Sequence, residues 1–110
     1  MSQNELIPLT AKLIKTDFRL TEDDSFPTSV VSRGELLQAL AERIAYLLDH
    51  DFEFLMQALY RIDVNENKVK MALQGESDNP AQILAELIIE REMQKAETRR
   101  KYANGLFSNL

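Results

Sequence analysis

Residues 31–61 hold two apolar stripes separated by only three residues, Asp49, His50 and Asp51, and that pair restricts the chain to a helical core. Leu37, Leu40, Ala41, Ile44, Leu47 and Leu48 recur at three- and four-residue steps, the period of one helix face. Phe52, Leu55, Met56, Leu59 and Ile62 repeat the pattern. The first helix has a sharp start. Ser32 and Glu35 stand at the spacing of a reciprocal capping box, with Val31 and Leu36 placed as its hydrophobic staple. Asp49 or Asp51 supplies an N-cap for the second helix, where negative charge suits the helix dipole. With neither Gly nor Pro at the joint, the two helices either fold back as a tight hairpin or continue with a bend.

The flanks carry weaker signals. Downstream, Asp63 and Glu66 repeat the cap spacing before a short helix through Val69, Ala72 and Leu73, which Gly75 ends. Asn79 and Gln82 give a third capping box, with Pro80 at the first helical position. The last helix then runs to about Lys101, roughly 33 Å for its 22 residues. Asn104 and Gly105 mark its end, and Leu106 to Leu110 form a tail. Its main face is Ile83, Leu84, Leu87 and Ile88. A second stripe of Ala85, Ile89, Met93, Ala96 and Ala103 suits contact with another helix, in the same chain or in a second copy. Upstream, Ile14, Thr16, Phe18 and Leu20 alternate with polar residues as in a strand. Leu6, Leu9 and Leu13 fit instead a helix starting near Pro8. An extended arm is the preferred reading, because the rest of the chain offers no strand to pair with. Residues 21–29 read as a loop with Pro27 in it and Phe26 as its anchor, and the acids Glu22, Asp23 and Asp24 lack the spaced ligands and Gly of a calcium loop.

The expected fold is therefore all-α, or mainly α: a small bundle of about four helices with an extended or partly β N-terminal arm. At 110 residues it forms a single domain, with residues 1–31 as arm and acidic loop, 32–75 as central helices and 80–103 as a long C-terminal helix. The chain has no cysteine, which removes thiol chemistry and fits a cytoplasmic protein. Its first residues lack the basic-then-apolar pattern of a signal peptide, and no apolar run reaches the roughly 20 residues of a membrane span.

Charge narrows the partners. The net charge of −5 opposes binding to a polyanion. Its distribution is uneven: residues 20–57 hold eight acids against two bases, and residues 91–101 hold five bases against two acids. The basic end complements the negative pole of its helix and can steer association with the acidic middle of another copy.

Catalytic chemistry finds little footing. Asp49, His50, Asp51 and Glu53 resemble a reactive cluster, but capping accounts for the aspartates and the chain has one histidine. A dinuclear carboxylate site wants Glu-x-x-His, and the residue three before His50 is Leu47. Glu86 and Glu90, one turn apart, read as solvated. No nucleophile elbow and no Gly-rich phosphate loop is present. The sequence thus assigns no catalytic, metal or cofactor residue. It points to a non-enzymatic interaction or adaptor protein, self-associating as a homodimer or binding another protein through its long C-terminal helix and N-terminal arm. Tyr46, His50 and Phe54, off the main stripes, and Ile89, Met93 and Ala96 are the candidate contacts. The alternative is a helix-turn-helix-like nucleic-acid regulator over residues 55–73, with Arg61, Asn67, Lys68 and Lys70 as its contacts.

Overall fold

The computed structural model describes residues 3–20, 26, 32–75 and 78–108. They form five helices: α1 (Gln3–Asp17), α2 (Arg33–His50), α3 (Phe52–Ile62), α4 (Glu66–Gln74) and α5 (Pro80–Ser108). No strand occurs among the described residues. The all-helical class is as expected, whereas the four-helix count and the N-terminal arm need correcting. Residues 3–17 are a helix because Ile7, Ala11, Ile14 and Phe18 share one face at steps of four, three and four, and all four are buried. The alternation from Ile14 to Leu20 is a coincidence of four residues within that longer helical repeat. Leu9 faces out, and Pro8 lies inside the helix on its exposed side rather than at its start.

Caps set most of the boundaries. The Ser32 hydroxyl accepts from the Glu35 amide at 3.1 Å, and Leu36, Leu40, Ile44 and Leu47 turn inward. Val31, the other half of the proposed staple, and the acids 22–24 lie outside the described residues. The joint between α2 and α3 is the single residue Asp51, whose carboxylate accepts from the Phe54 amide at 3.1 Å. In α3 the buried residues are Leu55, Ala58, Leu59 and Ile62, and Phe52 is shifted off the core to the exposed side. The cap of α4 is Asn65, whose Oδ1 accepts from the Lys68 amide, and not Asp63 as the spacing suggested. Gly75 closes α4 where a Cβ would run into the Met71 carbonyl oxygen. At the head of α5, Asn79 Oδ1 accepts from the Gln82 amide at 3.2 Å as a capping box requires, while the Gln82 side chain accepts from the Asn79 side-chain amide at 3.2 Å rather than from its backbone N–H. Phe26 is buried, as its anchoring role requires.

Two helices end alike. After α1, Arg19 adopts a left-handed φ of 52°, its amide donates to Thr16 and the Leu20 amide to Lys15. After α3, Asp63 has φ 67°, its amide donates to Tyr60 and the Val64 amide to Leu59. This is the Schellman closure, with the following apolar residue, Leu20 or Val64, buried against the core. Asp63 is thus occupied ending one helix, which explains why it does not begin the next. A non-Gly residue in this region is strained by about 1–2 kcal/mol. Arg19 is exposed, so Arg19→Gly is expected to raise stability by roughly 0.5–1 kcal/mol once the greater freedom of Gly in the unfolded chain is set against that relief. The denaturation midpoint reads this directly, and a lower midpoint would refute it.

Helix α5 is the spine of the molecule. It touches all four other helices, and Leu84, Ala85, Ile88 and Ile89 lie fully inside the core. Its 29 residues span about 43 Å, most of the 49 Å long axis. Helix continues past Asn104 and Gly105 to Ser108, so the expected stop there does not occur.

Candidate functional site

The structure brings three of the named side chains together. Tyr46 and His50, one turn apart on α2, stack with ring centroids 4.3 Å apart and planes 10° from parallel. His50 Nδ1–H donates to the Tyr46 carbonyl at 2.9 Å, which fixes the tautomer and leaves Nε2 as the acceptor when the ring is neutral. The Arg43 guanidinium lies 5.3 Å from the Tyr46 ring centre. Phe54 on α3 joins them, half-buried, with Arg61 6.0 Å from its ring centre. A shallow hollow of about 370 Å³ between Phe18, Arg43, Tyr46, His50 and Phe54 results. Tyr46 is 51% exposed, so the patch presents an aromatic face to solvent. It contains no arrangement of nucleophile and base, and among the described residues no group of three or more histidines or carboxylates is placed to hold a metal.

Ile89 and Ala96 are buried within the chain itself and Met93 is half-buried. Both α1, the segment expected as an arm, and α2 pack against α5. A second copy therefore has only the edge of the stripe from Ile89 to Ala96 to cover.

That stripe holds the residue that sequence reasoning passed over. Glu92 follows Ile89 by three and precedes Ala96 by four, which puts a carboxylate on an apolar face, and it is 0% exposed. Lys95 Nζ lies 3.4 Å from its Oε1, an ion-pair distance, yet neither Glu92 oxygen has a partner in hydrogen-bond geometry. Burial pushes the Glu92 carboxyl up to about 8, the neighbouring Asp17 carboxylate of α1 pushes the same way, and Lys95 opposes both. The pair is tied to α3 as well. Arg61 Nη2 donates to the Asp17 carbonyl at 2.6 Å, capping the end of α1 with a cation. The signal for Glu92 was legible as a charge at helical spacing among Ala85, Ile89 and Ala96. Which helix would cover it was not.

The alternative nucleic-acid contacts divide. Arg61 is committed to α1 and Phe54, whereas Asn67, Lys68 and Lys70 are exposed on α4. Residues 63–65 join α3 to α4, as a helix-turn-helix outline requires. Between these helices runs an apolar hollow of about 260 Å³, floored by Leu59, Val64 and Val69 and flanked by Met56, Tyr60 and Leu73. Tyr60 is 81% exposed beside it.

No family model, curated protein or solved structure matches the chain. No helix among the described residues is long and apolar enough to cross a membrane.

Proposed function

We propose that this chain is a non-enzymatic interaction protein that self-associates through the projecting end of α5. The observation that carries this reading is the overhang. Ala96 is the last buried residue among residues 80–103, yet the helix continues for 12 more residues to Ser108, about 18 Å. Along it Glu97, Thr98, Arg99, Lys101 and Tyr102 are exposed, Tyr102 at 69%. A single helical segment of that length in water gains little from its own hydrogen bonds and draws its stability from packing. An exposed tyrosine between basic residues is also a contact-prone composition.

Sedimentation equilibrium over a wide concentration range tests the reading. A mass rising from 12.6 kDa towards twice that value is expected, and a monomer at every concentration would end it. The second reading, a nucleic-acid regulator, draws on the α3–turn–α4 outline and on Asn67, Lys68 and Lys70. Asp63 and Glu66 on the same edge and the net charge of −5 weigh against it. Failure to retard duplex DNA at low ionic strength would remove it.

A further inference from the structure

We infer that the hollow between α3 and α4 is the socket for the projecting end of α5 from a second copy, so that two copies exchange helix ends around a twofold axis. The inference rests on the self-association reading and adds the acceptor surface. Three observations converge on it. The hollow is apolar, half open and bounded by two helices, a form that can receive side chains from a helix laid across it. Its rim carries Asp63 and Glu66, against the Arg99 of the incoming end, and the chain outside residues 97–110 is strongly acidic while that end is basic. The donor cannot be the same copy. Arg91 of α5 already lies beside Asp63, 3.5 Å away, and Tyr102 stands about 16 Å further along a continuous helix pointing away from that contact. A second copy meets no such restriction, and reciprocal exchange buries both overhangs and both sockets in one closed assembly. Tyr102 is the anchor expected to enter beside Tyr60.

The chain lacks cysteine, so single engineered thiols report proximity without background. Tyr60→Cys and Tyr102→Cys proteins, mixed and mildly oxidised, are expected to give a cross-linked dimer joining one of each. Each protein alone should cross-link far less. In parallel, Tyr60→Glu and Tyr102→Glu, both at exposed positions, are each expected to weaken the dimer about thirtyfold or more, with the circular dichroism of the monomer unchanged. If the wild-type chain stays monomeric, the self-association reading falls and this inference with it. If Tyr102→Glu dissociates the dimer while Tyr60→Glu leaves it intact and no mixed cross-link forms, α5 is used but the socket is elsewhere. That result overturns the inference alone.

Discussion

Glu92→Gln is expected to stabilise the protein at neutral pH and to flatten the dependence of its stability on pH. The folded-state pKa of Glu92, about 8, lies above the 4.5 of the unfolded chain, so between those values the folded state keeps a proton that the unfolded chain has released. Stability from this group is complete below 4.5 and is lost as pH rises through about 8. At about 1.4 kcal/mol per pKa unit, holding Glu92 neutral at neutral pH costs roughly 3 kcal/mol. The amide of Gln has the shape of the neutral acid and can donate to the Asp17 carboxylate without drawing a proton from solvent. Urea midpoints from pH 5 to 8.5 provide the measurement. The wild-type midpoint should fall across that range and that of Glu92→Gln should fall much less. Parallel curves for the two proteins would show that Glu92 ionises normally and is not sealed between α1 and α5.

Phe18→Ala is expected to destabilise the fold by about 3–5 kcal/mol, the range for removing a buried aromatic ring. Phe18 is among the largest fully buried side chains and sits where α1 ends. It is held from below by the core and from behind by the Schellman turn that brings Leu20 inward. Its loss leaves a void that neighbouring elements close only by moving α1. Phe18→Leu, which keeps most of the volume, should cost much less. A loss below about 1 kcal/mol for Phe18→Ala would mean that α1 is not docked by this residue. Because Asp17 is adjacent, the effects of Phe18→Ala and Glu92→Gln should not add. A displaced α1 uncovers Glu92 to water and removes the reason for its altered proton affinity.

How much of this could be read in advance differs by element. The starts of α2 and α5 were legible because a cap is a local device: Ser32 with Glu35, and Asn79 with Gln82, meet their own backbone whatever the rest of the chain does. Asp51 likewise fixed the break between α2 and α3. The N-terminal segment was misread because its decisive repeat, Ile7 to Phe18, became visible only when Ala11 counted as apolar, and a tertiary partner decided between two periodicities. Asp63 was misplaced because a left-handed residue ending α3 looks, in sequence, like a cap opening α4. The Tyr46, His50 and Phe54 cluster was accessible from helical spacing, since all three lie beside one joint. The α3–α4 hollow was not, because its walls come from the partly buried flanks of two helices whose relative placement no periodicity specifies.

The position of α5 as the element every other helix leans on has a consequence for how the protein comes into being. Synthesis delivers the spine after the four helices that lean on it. Until residues beyond Pro80 leave the ribosome, α1 to α4 hold apolar faces meant for a surface that does not yet exist, and only the contacts among α1, α2 and α3 cover part of them. Until then the nascent helices form an unfinished assembly exposed to chaperones and proteases. The assembly is complete only when one helix supplies the common wall for the other four.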